Sequence, residues 1–145
     1  MKLLEQDKDY NCAVYALHFL LGISNITYDV NQLEKELGTN EEHGTSHEQI
    51  INWLLLNDIK SITYGNNSNI QRLSSVLPAI VNYQYCDKDG CDGHYSIVLT
   101  VNENKVILYN PAIGEIESID KNKFEDNWYS ERFGAKWFLK INDYK

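Results

Sequence analysis

The sequence predicts an α+β fold in one domain that covers residues 1–145. Apolar residues recur every three or four positions up to about Asn57, which is typical of helices. From Lys60 onward they alternate with polar residues, which is typical of strands that bury one face. Helices first and an antiparallel sheet after them is an α+β layout. A chain of 145 residues is also long enough to bury a core without disulfides or a metal.

Helices are predicted where an apolar repeat follows a capping residue. In the first helix the repeat includes Ala13, Ala16, Leu17 and Leu20, and Gly22 ends it. In chain order, we expect helices after Asn11, at 29–38, from a capping box at 45–48 to about residue 57, at 68–76, and at 120–128.

Strands are predicted where polar and apolar residues alternate between turn signals. We expect them at 60–64, 79–85, 94–101, 105–110, 115–119 and 135–141. The strand at 94–101 has the clearest alternation, and a turn at 102–104 returns it into the next strand. Residues 86–93 are expected to form a loop.

Composition and charge restrict the class of protein. The net charge of -8 disfavours a nucleic-acid groove and an anionic membrane surface, because both attract Lys and Arg. No apolar run approaches the roughly 20 residues of a membrane span, and acidic residues soon after Met1 argue against a signal peptide. Three cysteines without a leader favour a reducing cytoplasm over a disulfide framework.

Cys12 is the strongest candidate for a reactive residue. It opens the first predicted helix, where the positive end of the helix dipole favours a thiolate. Gln6 lies shortly before it, and a side-chain amide there can donate to an oxyanion alongside the backbone N–H of Cys12. Taken alone, a glutamine at this position is uninformative.

A nucleophilic cysteine needs a base, and the base needs a partner that orients it. Of the four histidines, His94 is the best candidate, because it begins the clearest strand directly after a glycine-containing loop. His18 lies inside the first predicted helix, where it packs or lies at the edge. His43 and His47 are four residues apart, but a Gly-Thr pair separates them, so we expect a solvated loop and helix start rather than metal ligands.

Asn110 can orient the His94 ring. It ends the strand that returns from the turn at 102–104, so antiparallel pairing sets it beside His94. In that register both residues share one face of the sheet with Ser96. The Asn110 amide oxygen would then accept the imidazole N–H and fix its tautomer. The alternative is that Asn110 and Pro111 form only a turn and that His94 is a polar strand end.

Taken in order, Gln6, Cys12, His94 and Asn110 resemble the papain-like cysteine peptidase superfamily. The closer resemblance is to the small C39-like peptidases. Their motifs stand here as Gln6, Asn11-Cys12-Ala13, Gly44-Thr45-Ser46, Gly93-His94-Tyr95 and Asn110-Pro111, followed by Phe124 and Trp128. Each motif is weak alone, but together they run in order over nearly the whole chain.

The resemblance implies a papain-like fold in which N-terminal helices, the first with the nucleophile, pack against a C-terminal antiparallel sheet. Cys12 would be the nucleophile, His94 the general acid and base, and Asn110 the residue that orients His94. Gln6 and the Cys12 amide would form the oxyanion hole. The implied reaction is hydrolysis of a peptide or isopeptide bond through a thioester. Two positions depart from the family, since Ala13 replaces the usual Gly and Asn110 the usual Asp, which gives an imidazolium less electrostatic support.

We expect Cys12 and His94 to rest as a thiolate–imidazolium pair, which can lower a cysteine pKa from about 8.5 to roughly 3.5–7.5. The expected partner is a peptide or protein substrate, and we expect no nucleic acid, membrane span, metal or cofactor. The acidic surface favours a basic peptide. We further expect a cytoplasmic protein of bacterial or phage origin, and the sequence sets no oligomeric state.

Three alternatives stay open. The papain-like scaffold also hosts acyltransferases, transglutaminases and deamidases that use the same triad. The second alternative is that the chain is a non-catalytic binding or inhibitor module that keeps the fold, in which Cys12 no longer has a catalytic role. The third alternative is a zinc-binding loop with Cys86, Cys91 and His94, and with Asp92 as the fourth ligand. A reversible disulfide between the two cysteines, or a plain acidic surface loop, is also compatible with residues 86–93.

Overall fold

The computed structural model describes residues 3–88 and 90–142, so Met1, Lys2, Asp89 and residues 143–145 lie outside the description. The helices are α1 (Cys12–Ile23), α2 (Val30–Leu37), α3 (His47–Leu56), α4 (Ile70–Ser74) and α5 (Lys121–Asn127). The strands are β1 (Ile62–Gly65), β2 (Ala79–Asp87), β3 (Gly90–Val101), β4 (Lys105–Asn110), β5 (Glu115–Asp120), β6 (Tyr129–Ser130), β7 (Gly134–Ala135) and β8 (Phe138–Ile141). Helices followed by a largely antiparallel strand region confirm the predicted α+β class.

Six strands form one sheet in the order β1-β8-β2-β3-β4-β5. All neighbouring strands in it run antiparallel. Strands β2 to β5 follow one another as a meander, whereas the last strand, β8, lies between β1 and β2. Strands β6 and β7 form a separate two-stranded ribbon. The central strands β2 and β3 therefore have partners on both sides, which holds their side chains in fixed positions.

Helix α1 is the centre of the larger hydrophobic cluster, between the other N-terminal helices and one face of the sheet. The predicted core positions Ala13, Ala16, Leu17 and Leu20 are all almost completely buried, which confirms that reading. A second cluster covers the opposite face of the sheet and includes Phe124 of α5. Both faces are thus covered, as the apolar strand residues require.

The ends of the shorter helices follow the predicted capping chemistry. Asp29 caps α2, Asp120 caps α5, and Ser46 with Gln49 forms the capping box of α3. Gly38 ends α2 in the left-handed conformation, with φ of 73°. Within residues 3–88 and 90–142, none of the helices has the length and apolar character needed to cross a membrane.

Two segments differ from the sequence-based expectation. The predicted loop at 86–93 instead continues the β2–β3 hairpin, in which Cys86 pairs with Cys91. The predicted strand at 135–141 is divided, because Ala135 pairs with Tyr129 in the small ribbon and only β8 joins the main sheet. Lys136, with φ of 53°, interrupts the extended backbone between the two parts.

Candidate active site

Cys12 is the first residue of α1, as predicted, but the helix end is built differently from the expected cap. Asn11 occupies the N-cap position without a side-chain hydrogen bond to the helix. Its Oδ1 accepts instead from the Lys8 N–H at 3.2 Å, and its Nδ2 donates to Asp7 and Glu34 at 2.7 and 2.8 Å. Asn11 thus gives the first N–H groups of α1 no side-chain cap; the Val14 N–H bonds to the Asn11 carbonyl at 3.1 Å, and the Cys12 and Ala13 N–H groups interact with the Cys12 thiol.

The Cys12 thiol is buried, and the Tyr95 N–H of β3 donates to its Sγ at 3.5 Å. Burial raises the pKa of Cys12 to about 11. The backbone N–H groups of Tyr95, Ala13 and Cys12 lower this pKa, and the negative charge of Asp92 raises it slightly. Loss of hydration therefore outweighs these three N–H groups, and the buried site favours the neutral thiol. The expected resting thiolate is not favoured by this environment.

His94 lies on β3 and is also buried. Its Nε2 lies 2.7 Å from Oδ1 of Asn110, and its ring stacks on Tyr85 with centroids 4.5 Å apart. Burial lowers the pKa of His94 to about 4, although the Asn110 hydrogen bond and the Asp87 charge both raise it. The resting imidazole is therefore neutral, and the expected imidazolium is not favoured either.

The Asn110 amide has an orientation that its neighbours determine. Its Oδ1 also accepts from the Ala112 N–H at 2.9 Å, and its Nδ2 donates to Oε1 of Glu117 at 3.0 Å. A backbone N–H can only donate and a carboxylate can only accept, so the amide oxygen must point towards His94. His94 then carries its proton on Nε2, which leaves Nδ1 as the unprotonated ring nitrogen.

The sheet brings His94 and Asn110 together by a different register from the predicted one. Direct pairing of the two residues was expected, but Val98 pairs with Leu108, and the ladder shifts between Val98 and Thr100. Continued in this register, Asn110 lies opposite Ser96 rather than His94. The hydrogen bond therefore crosses the strand pair diagonally, which side chains of this length can span. The expected shared face is confirmed, whereas direct pairing is wrong.

Gln6 is positioned by its backbone, whose N–H donates to the Pro111 carbonyl at 2.8 Å. This contact docks Gln6 directly beyond Asn110. The Gln6 side chain donates from Nε2 to the Lys8 carbonyl at 2.8 Å. Its Oε1 is buried without a hydrogen-bond partner in the part of the chain that the structure describes.

Three of the four predicted site residues line one cavity of about 550 Å³, which we call the histidine cavity: Gln6, Cys12 and His94. Asn110 lies behind His94. A neighbouring cavity of about 610 Å³, the asparagine cavity, is lined by Cys12 together with Asn82. Because Cys12 lines both, its thiol lies between two neighbouring cavities.

The sequence did not indicate the polar wall of the asparagine cavity. Asn82 is 3% exposed, and neither of its amide atoms has a hydrogen-bond partner within residues 3–88 and 90–142. A Cβ at Gly93 would lie 2.8 Å from Oγ of Ser130 and 3.2 Å from Oδ1 of Asn82, so glycine is needed there. Asn82 lies among apolar strand residues, and only its polarity within such a strand could have marked it.

The cleft formed by the two cavities is predominantly acidic. Its acidic lining residues are Glu5, Asp7, Asp9, Glu41, Glu42, Asp87 and Asp92. The basic residues Lys8 and Arg132 also line it, but Lys8 forms an ion pair with Glu34 at 2.6 Å. The cleft therefore has a negative electrostatic bias.

The other histidines differ in their exposure and contacts. His43 is exposed, whereas His47 is half-buried and stacks on Trp137 with ring centroids 3.8 Å apart. As expected, His43 lies in an exposed turn and His47 begins α3, but His47 is only partly solvated because aromatic residues distant in sequence cover it. His18 is half-buried in α1. Among the residues that the structure describes, no group of three or more metal-binding side chains is found.

Cys86 and Cys91 form a disulfide across the β2–β3 hairpin, and Cys12 is the free cysteine. This differs from the reduced state that the odd cysteine count favoured, because cross-strand pairing brings the two sulfurs together. The Cys86 and Cys91 sulfurs are bonded to each other, and Nε2 of His94 is hydrogen-bonded to Asn110. The structure therefore gives no support to the zinc alternative.

Sequence comparison finds a match between the chain and one family model. The model of the Peptidase C39 family matches residues 1–132. A comparison with curated protein sequences finds no match.

Comparison with solved structures finds chains of similar fold. The peptidase domain of Streptococcus ComA, a bi-functional ABC transporter involved in a quorum sensing pathway, has a TM-score of 0.74 and 15% identity, with 99% of this chain and 98% of that chain covered. A double glycine motif protease from an AMS/PCAT transporter, in complex with the leader peptide, gives 0.71 and 13%, with 95% and 88% covered. A C39-like peptidase from Bacillus anthracis gives 0.76 and 14%, with 99% and 96% covered. At these identities the likeness shows a common fold.

Proposed function

Because this chain belongs to the Peptidase C39 family, we propose that it hydrolyses a peptide bond of a peptide or protein substrate with Cys12 as the nucleophile. The family match and the similar folds confirm the expected papain-like cysteine peptidase of the C39 type. The roles of single residues are part of the proposal. His94 is the general acid and base, Asn110 orients it, and Gln6 helps to stabilise the oxyanion.

The observation that carries the proposal is the hydrogen bond between His94 Nε2 and Asn110 Oδ1, together with the cavity that Cys12 and His94 line. This bond leaves Nδ1 of His94 as the basic nitrogen. Both groups rest in their neutral forms, so the proton moves from sulfur to Nδ1 as the substrate is attacked. Ionisation only in the presence of substrate protects the thiol from other electrophiles.

The reaction then follows as two acyl transfers. The Cys12 sulfur attacks the amide carbonyl while its proton passes to Nδ1 of His94, and the tetrahedral intermediate collapses as that proton passes to the leaving amine. A thioester on Cys12 remains. Water, deprotonated by Nδ1, attacks the thioester, and the proton returns to sulfur as the carboxylic acid leaves.

Two groups are suited to the developing oxyanion. The Cys12 backbone N–H lies at the end of α1 that has no side-chain cap. The Gln6 amide has two hydrogens on Nε2, and the Lys8 carbonyl accepts only one of them. Loss of one oxyanion donor typically slows a reaction roughly 100-fold or more. Gln6→Ala is therefore expected to lower kcat far more than it changes KM.

The substrate is proposed to be an extended peptide. His94 must protonate the leaving amine, so the amine side of the substrate belongs in the histidine cavity and the acyl side in the asparagine cavity. One similar structure holds a double glycine motif protease with a leader peptide, and a leader peptide of that kind is the first substrate to try. The acidic lining favours a peptide with basic residues outside the scissile bond.

We also propose that residues 1–145 act as one peptidase domain. In support, the alignment with the ComA peptidase domain covers 99% of this chain and 98% of that chain. The two hydrophobic clusters lie on opposite faces of a single sheet, so neither can be removed without exposing the other.

The test is to incubate the protein with a peptide library and identify products by mass spectrometry. Hydrolysis gives two fragments with one added water, acyl transfer to an added amine gives a conjugate, and deamidation changes a side chain without cleavage. We expect cleavage that is lost in Cys12→Ala. His18→Gln, a histidine change outside both cavities, is the matched control for His94→Ala and should keep the activity.

Three outcomes contradict the proposal. Cleavage that persists in Cys12→Ala would show that Cys12 is not the nucleophile. Conjugation or deamidation without hydrolysis assigns the site to one of the other acyl-transfer reactions. Specific peptide binding with no chemical change would identify the chain as a binding module.

A further inference from the structure

The Asn110 side chain has a second contact, on the side away from His94. Its Nδ2 donates to Oε1 of Glu117 at 3.0 Å. Glu117 is half-buried on β5, where it pairs with Leu108 of β4. The Glu117 carboxylate is therefore linked to the His94 ring by two hydrogen bonds, one on each side of the Asn110 amide.

Glu117 adds negative charge to these hydrogen bonds. The Ala112 N–H already fixes the direction of the amide. Of the side-chain contacts of Asn110 with described residues, the one with Glu117 brings a carboxylate, and a charge-assisted hydrogen bond at one end of an amide makes the oxygen at the other end a stronger acceptor. The charge also extends to the tyrosine beside the ring, because burial and then Glu117 raise the pKa of Tyr83.

We propose that Glu117 is a positioning residue that stabilises, through the Asn110 amide, the positive charge that His94 acquires when it takes the Cys12 proton. The proposal rests on the proposed function, since it needs His94 to be the base. A neutral amide contacts the resting, neutral ring, and the carboxylate lies one hydrogen bond further away. The charge is thus present for the imidazolium without a direct carboxylate contact at rest.

Other groups around His94 must be separated from Glu117 in a test. The rings of Tyr83 and Tyr85 from β2 contact it, at centroid distances of 5.7 and 4.5 Å. Asp87, at the exposed end of β2, acts on it by its charge. Cys12 of α1 shares its cavity. A substitution on β5 leaves all four of these groups unchanged.

The experiment is an NMR pH titration of the His94 ring in the full chain, with Glu117→Gln compared with the native protein. Removal of the charge should make the ring harder to protonate and move its midpoint down by roughly half a pH unit or more. Glu115→Gln is the matched control, because Glu115 lies on the same strand, opposite Asn110 in the backbone pairing, and its side chain is exposed. It should move the midpoint less than half as far.

Peptide hydrolysis provides the second readout. Glu117→Gln should lower kcat roughly threefold to tenfold with little change in KM, because the charge acts on the transition state. Asn110→Asp added to Glu117→Gln should raise the His94 midpoint above the native one and recover kcat, because the carboxylate then contacts the ring directly. Beside native Glu117, Asn110→Asp should give no such gain, since two carboxylates would share one site.

A His94 midpoint that is the same in Glu117→Gln and the native protein, or that moves equally in Glu115→Gln, overturns the proposal. Glu117→Asp keeps the charge with a shorter side chain, so a midpoint near the native value supports an electrostatic role even if stability falls. If the midpoints shift as expected but the native protein cleaves no peptide, the proposed function fails while the electrostatic link from Glu117 to His94 stands.

Discussion

His94 and His47 are two histidines in similar surroundings, but their ring nitrogens have different partners. Burial lowers the pKa of each ring to about 4. His94 has Nε2 on Asn110 and lines the histidine cavity beside Cys12. His47 has Nδ1 2.7 Å from the Tyr95 hydroxyl, and its Nε2 is buried with no partner among residues 3–88 and 90–142.

The comparison shows that burial and a lowered pKa do not identify a general base. The His47 ring packs against Trp137 and Phe133, and its Nε2 has no hydrogen-bond partner among the residues that the structure describes. The His94 ring has one nitrogen held by an oriented amide, and it lines a cavity together with the thiol of Cys12. A cavity shared with a thiol, and a partner that fixes the tautomer, are the features that distinguish the proposed general base from the other buried ring.

Loss of each ring is the largest expected contrast. His94→Ala should lower kcat/KM for peptide hydrolysis roughly 10²–10⁴-fold, the range typical of a lost general acid and base. His47→Gln should keep kcat within a few-fold but lower the melting temperature, because it removes aromatic stacking. Steady-state kinetics and thermal denaturation of both variants test this. Equal losses of activity would end the distinction.

The rate of Cys12 alkylation tests whether Cys12 and His94 are neutral or charged at rest. Because the pKa of Cys12 is raised to about 11, its reaction with iodoacetamide should rise roughly tenfold per pH unit between pH 7 and 9. His47→Gln should leave this profile unchanged. A rate that is already constant from pH 5 to 8 would show a resting thiolate–imidazolium pair and contradict the neutral site.

Acid should destabilise the protein through both rings. They titrate near 6.5 when unfolded and near 4 when folded. Their contribution to stability is therefore fully present above pH 6.5 and is lost as the pH falls towards 4. For the fully buried His94 this is about 3 kcal/mol. Denaturant unfolding between pH 7 and 4 should show that the free energy of unfolding falls less steeply with pH in His47→Gln than in the native protein. Identical slopes in the two proteins would contradict this prediction.

Like His47, Asn82 has buried polar atoms with no hydrogen-bond partner in the described part of the chain, and it provides the smallest expected effect. Asn82→Leu should raise the free energy of unfolding by about 1–2 kcal/mol, because it removes unpaired amide atoms and keeps the volume. Asn82→Asp, of the same shape, should lower it because a charge is buried. Denaturant unfolding measures both, and a destabilised Asn82→Leu protein would indicate a hidden partner.

Much of this site follows from local sequence patterns. The helix that begins at Cys12, the strand that contains His94 and the shared face with Asn110 depend on short-range periodicity, which the sequence displays directly. The ends of the elements were predicted less well. The hairpin extends through Cys86 and Cys91 because pairing between strands, rather than local propensity, decides where a strand stops.

What the sequence could not predict depends on long-range packing. The neutral state of Cys12 results from burial by distant strands, which no feature near residue 12 indicates. The contact of Glu117 with Asn110 depends on the alignment of β5 with β4. His47 meets Trp137 only because the C-terminal part of the chain returns to the helices.

The protonation of His94 at neutral pH tests the central claim most directly. Long-range ¹H–¹⁵N NMR should show a neutral ring with the proton on Nε2, and the Nδ1 resonance should move when Cys12 is carboxamidomethylated. A proton on Nδ1, a charged ring at pH 7, or an Nδ1 resonance that ignores modification of Cys12 would contradict the pairing of nucleophile and base.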